Sequence, residues 1–149
     1  MENFKLSRAS ISMKLLFTSL SCLLGLTYML LLFHIWNDTE MKPALVSKAY
    51  VTMEYTELTN ITHTYMPYYT IYLFAVPVFI FMFTSFSEKI KRIFAVLPFI
   101  LIPLDMGSMW AIPYVSPNFS WVLWAAGSFL AATFLGLFVL NMYDLWLRK

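Results

Sequence analysis

The chain has 149 residues, of which 60% are hydrophobic, 19% aromatic and only 12% charged, with a formal net charge of +2. Soluble domains carry about 25% charged and about 45–50% apolar residues, so this chain has too little charge to cover a compact water-soluble enzyme and too much apolar character for disorder. The small net charge, without a basic run, also argues against nucleic acid as a partner. What remains is a small integral membrane protein.

Four apolar segments follow in chain order, at about residues 15–35, 65–86, 93–114 and 121–146. Each is long enough to cross about 30 Å of hydrocarbon at 1.5 Å per residue. Backbone polar groups in lipid must be satisfied within their own segment, and no segment alternates in polarity as a membrane strand would, so all four are expected to be helices. The first holds the single cysteine, Cys22, which excludes an intrachain disulfide and a cysteine-based metal site and reads as a small buried hydrophobe. Ser19 occupies the place where a lipoprotein signal needs leucine, and the apolar stretch is too long for a cleaved signal peptide.

The 37–64 connection is the longest non-apolar stretch. Pro43 suits the first turn of a short helix running to about Leu58, with Val46, Tyr50, Met53 and Glu57 on one face. An N-terminal extension of the second span is the alternative. The 87–92 and 115–120 links are short, and Pro77 should kink the second span. Eight basic residues (Lys5, Arg8, Lys14, Lys89, Lys91, Arg92, Arg148 and Lys149) stand on the side of the termini, against Lys42 and Lys48 on the other. The positive-inside rule therefore predicts an antiparallel four-helix transmembrane bundle with both termini cytoplasmic and 37–64 outside. Trp36, Trp121, Tyr143 and Trp146 sit near segment ends, as interfacial anchors do.

Asp105 is the acid placed deep in a span. A carboxylate there costs on the order of 2.5–3.5 kcal/mol on insertion scales, so it is expected to be paired, protonated or facing a wet interior. Pro98 and Pro103 leave the carbonyls of Phe94 and Phe99 without their usual donors just before it. Asp105 thus reads as a proton or cation site, an anchor for a cofactor, or a structural clamp bonded to Ser108 or to a neighbouring helix. His34 and His63 stand at the outer ends of neighbouring spans, where two imidazoles could hold haem b, or supply two ligands to a metal if Asp or Glu residues completed the set, or where His63 or Tyr65 could hydrogen-bond a quinone. Snorkelling interfacial side chains are the plainer reading. No metal site is expected.

On the fourth span Ser128, Ala132 and Gly136, beside Gly127 and Ala131, form a small-residue face that packs within the bundle or docks a partner. The glycosylation triplets at Asn37, Asn60 and Asn118 lie too close to the membrane to be used. No phosphate loop, metalloprotease motif or nucleophilic triad occurs, which argues against an enzyme, and a lone mid-span acid without repeats argues against a self-sufficient transporter.

Thr62-His63-Thr64-Tyr65 and Leu104-Asp105-Met106-Gly107-Ser108-Met109-Trp110 resemble a group of small bacterial four-helix integral membrane proteins. That group opens helix 2 with Thr-His-x-His and carries Leu-Asp-x-Gly-Ser-Trp-Trp on helix 3. Tyr65 stands here in place of the second histidine, and Met109 in place of the first tryptophan. The resemblance implies the four-helix fold and a bacterial inner membrane, and it implies no activity. The leading expectation is a non-catalytic subunit of a larger membrane complex, respiratory or energy-converting, whose partners are the bilayer and other integral subunits or further copies of itself. A haem b or quinone electron-transfer protein using His34, His63 and Asp105, and a proton or cation conduit at Asp105, are the alternatives.

Overall fold

The structure, a computed structural model, describes residues 5–148. Every regular element among them is helical. Four stretches are long and apolar enough to cross a membrane, namely Ile11–Thr39, Tyr55–Met82, Glu88–Tyr114 and Phe119–Leu147. The fold is thus the all-α membrane bundle that the sequence predicts, with successive spans antiparallel.

Each span begins earlier than its apolar run, and at the first two a side-chain cap closes the first turn. Ser10 Oγ accepts from the Met13 N–H at 3.4 Å and opens α1 (Ile11–Thr39). The second span starts at Tyr55 rather than near 65, because Glu54 and Glu57 form a capping box in which the Glu54 N–H donates to Glu57 Oε2 at 3.2 Å. Hydropathy overlooks such turns, since polar groups at an N-terminus add to the helix while subtracting from the apolar run.

The second span consists of α3 (Tyr55–Pro67), a π-helical stretch (Tyr68–Ala75) and α4 (Val76–Met82). Pro77 has no N–H to give and its ring crowds the preceding turn. The widened π turns on its N-terminal side absorb that misfit, which is the form the expected kink takes. By contrast α5 (Glu88–Tyr114) runs unbroken through Pro98, Pro103 and Pro113.

Between the first two spans lies α2 (Pro43–Tyr50), with proline at its start as expected. It ends at Tyr50, short of Leu58. Val46 is buried and Tyr50 and Met53 face the same space, whereas Glu57 leaves that face to cap α3. The chain enters α2 through Glu40 and Met41, both left-handed at φ 47° and 54° although neither is glycine.

α5 and α6 (Phe119–Met142) form the most extensive helix pair, and the second span packs against both. Their shared core is built by Leu73, Phe74, Phe81, Ile102, Leu130 and Leu137. Gly136 lets α6 approach α5, since a Cβ there would meet the Phe94 ring at 3.3 Å. α1 is peripheral. Of its 29 residues only Ser21, Tyr28 and Thr39 are buried, and Tyr28 enters the core with its ring 4.7 Å from that of Phe134. Cys22 is exposed, which corrects its reading as a buried hydrophobe: α1 turns that side away from the other helices. At the opposite end from α2, the Leu6 N–H donates to the Phe83 carbonyl at 2.8 Å and Leu6 packs on Ile80 and Leu145, so the two terminal segments meet there.

Candidate functional site

Above the core, in the half of the bundle nearest α2, the helices separate around a cavity of about 680 Å³. The separation has a local cause. α6 presents Gly127 and Ala131 to this space, and neither side chain is large enough to fill it. α2 lies across the end of the cavity, with Val46 and Tyr50 pointing into it. The Trp124 indole N–H donates to the Met41 carbonyl at 2.7 Å and ties the α1–α2 turn to α6. Trp36, Trp124 and Ser128 line the cavity yet are themselves exposed, so it opens to the bundle surface between the α2-side ends of α1 and α6.

Asp105 lines this cavity from α5, about 14 Å of helix rise below Tyr114. It is 8% exposed, and no described residue hydrogen-bonds or ion-pairs with its carboxylate. The expected clamp to Ser108 does not form, because the Ser108 hydroxyl donates to the Leu104 carbonyl at 2.6 Å. A Cβ added at Gly127 would sit 3.5 Å from Asp105 Oδ1, so the carboxylate lies against the bare backbone of α6.

The phenols of Tyr28, Tyr50 and Tyr69 stand within electrostatic reach of Asp105, and Tyr65 joins them on the lining. Burial, reinforced by the nearby Asp105 carboxylate, pushes the Tyr50 hydroxyl up to about 12, so this phenol stays neutral and remains a hydrogen-bond donor. Below Asp105 the packed rings of Phe74 and Phe134, with Leu130, close the bundle.

The structure brings His34 and Asp105 to the same cavity, His34 at its rim with Nε2 3.6 Å from Asp38 Oδ2. His63 is exposed and does not line the cavity, so the two imidazoles do not converge there. Among the described residues no three His, Cys, Asp or Glu side chains gather closely enough to hold a metal ion. The small-residue face of α6 divides by direction. Gly127 and Ala131 face the cavity, Gly136 faces Phe94, and Ser128 and Ala132 are exposed.

Tyr28, Tyr69 and Trp124 escape a reading of the sequence, although a phenol in the middle of an aliphatic span is a usable signal, since its hydroxyl has to find a partner or a wet space. Asp144 and Asn141 escape it too. Both are buried near the terminal end of the last span, where the Asp144 carboxylate accepts from the Ser85 N–H at 2.9 Å and the Asn141 amide donates to the Pro77 carbonyl at 3.1 Å.

Residues 47–149, more than two thirds of the chain, match the model of a family described as a transmembrane helical domain. The chain belongs to this family. No curated protein and no solved structure matches it. The matched stretch begins inside α2 and takes in the second, third and fourth spans. The family domain therefore carries Asp105, Tyr50, Tyr65, Tyr69 and the Gly127 wall, while α1 contributes Tyr28 and His34 from outside the matched stretch.

Proposed function

We propose that this is a non-catalytic integral protein of the bacterial cytoplasmic membrane that takes a small lipid-soluble molecule into the cavity beneath α2. The observation that carries the reading is the cavity itself. Its volume of about 680 Å³ lies within the roughly 300–1,000 Å³ of small-molecule sites, and such sites are largely apolar with a few convergent polar groups. Here those groups are Asp105 and the tyrosine phenols, and the opening between α1 and α6 faces the side from which a molecule dissolved in the bilayer would arrive. A lipid-soluble quinone is one ligand of this general kind; haem b is less well supported, because His63 stands off the cavity.

The test is saturable binding to the purified protein in lipid nanodiscs, using N-phenyl-1-naphthylamine and tetraphenylphosphonium as neutral and cationic lipid-soluble probes. Gly127→Leu and Ala131→Leu place a side chain in the cavity and should abolish one-site binding of whichever probe the wild type takes. Equal binding by wild type and both variants, or no saturable binding by the wild type, overturns the reading.

A second reading, a subunit of a larger membrane complex or a self-associating protein, is favoured by α1. Its surface is almost wholly uncovered, and Ser19, Cys22 and Thr27 are exposed along it, small residues of the kind that let transmembrane helices approach closely. Migration as a free monomer after mild extraction, with no co-purifying membrane protein, counts against it.

A further inference from the structure

We propose that the cavity selects a lipophilic organic cation, a molecule bearing one positive charge on an aromatic or apolar body, with Asp105 as its counter-ion and the surrounding tyrosine rings as its cage. The proposal rests on the ligand-binding reading above and names the class of ligand for that site.

Three observations point the same way. Asp105 is 8% exposed, lines the cavity and has no hydrogen-bond or ion-pair partner among the described residues. A carboxylate taken out of water without a partner is costly, and a docked cation removes that cost where it arises. Next, the described lining contains no lysine or arginine, and its basic side chain, His34, stands at the rim beside Asp38. Nothing in the cavity therefore repels a positive charge or competes for Asp105. Finally, the lining offers aromatic faces from Tyr28, Tyr50, Tyr65 and Tyr69, and desolvated cations over such faces gain more than exposed ones do.

A neutral acceptor such as a quinone is served less well. The tyrosine hydroxyls can donate to it, whereas other donors on the lining are already used within the protein. The Trp124 indole donates to Met41 O at 2.7 Å, the Ser128 hydroxyl to Trp124 O at 2.8 Å, and the Thr39 hydroxyl to Ile35 O at 2.7 Å. A quinone carbonyl would also face the Asp105 carboxylate, oxygen against oxygen. A bare metal ion is served worse still, with no triad of ligating side chains among the described residues.

The experiment measures equilibrium binding to the full-length protein in nanodiscs of tetraphenylphosphonium, of its uncharged near-isostere triphenylphosphine oxide, and of a short-chain quinone. The expected result is one saturable site that prefers the cation. Asp105→Asn keeps the size of the side chain and should weaken cation binding on the order of tenfold to a hundredfold, the scale of one charged contact. Residual binding of triphenylphosphine oxide should be unchanged in that variant, which shows that it is folded. If the uncharged probe or the quinone binds wild type as tightly as the cation, or if Asp105→Asn retains full affinity for the cation, the cation assignment is overturned while the ligand site stands. If none of the three binds saturably to wild type, both fall. The preference measured on wild type decides the class even where the variant does not fold.

Discussion

Asp144 and Asp105 are both acids within transmembrane spans, and the fold treats them oppositely. Asp144 is fully buried, its Oδ1 accepts from the Ser85 N–H at 2.9 Å, and Arg148 Nη1 lies 3.6 Å from the same oxygen. It thereby fixes the link between α4 and α5 to the end of the last span, a structural use of a carboxylate. Asp105 has no such partner and faces a cavity instead. This difference predicts different mutational responses. Asp144→Ala strands the half-buried Ser85 N–H and should lower stability by about 1–3 kcal/mol. Asp144→Asn keeps an acceptor for that N–H and should cost less. Arg148→Gln takes the cation from beside a fully buried carboxylate and should cost more than the under about 1 kcal/mol of an exposed pair, although the 38% exposure of the Arg148 side chain moderates the loss. Reversible unfolding in mixed micelles, titrated with a denaturing detergent, reads all three; an Asp144→Ala protein that unfolds with the wild type would show that the clamp is not structural.

At the level of elements, the apolar runs revealed the existence of four spans and hid where they begin. The second span is the clearest case. Its apolar run starts near Tyr65, yet the helix starts at Tyr55, because Glu54 and Glu57 satisfy backbone N–H groups that an uncapped turn would leave unpaired. Losing both carboxylates in Glu54→Ala/Glu57→Ala should destabilise this first turn by about 1 kcal/mol. That corresponds to roughly fivefold faster amide exchange over 55–58, with protection over 76–82 unchanged. Exchange read by mass spectrometry in nanodiscs checks it, and unchanged protection at 55–58 would remove the capping box as the reason for the early start. The π-helical stretch was half legible. Pro77 announces a misfit, but a widened turn rather than a simple bend depends on how the second span packs on α6, where Asn141 donates to the Pro77 carbonyl at 3.1 Å. The division of the small-residue face was not legible at all, because Gly127 and Gly136 look alike in sequence and differ only in whether α5 presents the Asp105 carboxylate or the Phe94 ring.

For the whole molecule, composition alone leads to a membrane bundle, whereas the cavity is a long-range property that no single segment carries. It exists because α1 packs on the rest through few side chains, because α2 lies across the end, and because α6 is narrow at Gly127 and Ala131. The bundle also has two unlike ends. One gathers the terminal segments, the 83–87 link and the basic residues Lys5, Arg8, Lys14, Lys89, Lys91, Arg92 and Arg148; the other carries α2 with Lys42 and Lys48. Aromatic side chains mark the terminal end as an interface, with Lys14 5.8 Å from the Trp146 ring centroid and the Trp146 indole donating to Thr18 Oγ1 at 2.8 Å. The asymmetry of lysine and arginine predicts that the terminal end is cytoplasmic and that α2, with the cavity beneath it, faces out. Single-cysteine labelling tests this directly. Cys22→Ser removes the natural thiol from an exposed position on α1, where substitutions are usually within about 0.5 kcal/mol. In that background Thr52→Cys and Ser87→Cys place one thiol at each end, both at exposed sites. A membrane-impermeant maleimide applied to intact spheroplasts should label Thr52→Cys, and it should reach Ser87→Cys only after permeabilisation. The reverse pattern would invert the protein and put the cavity on the cytoplasmic side, where a ligand would have to come from the inner leaflet.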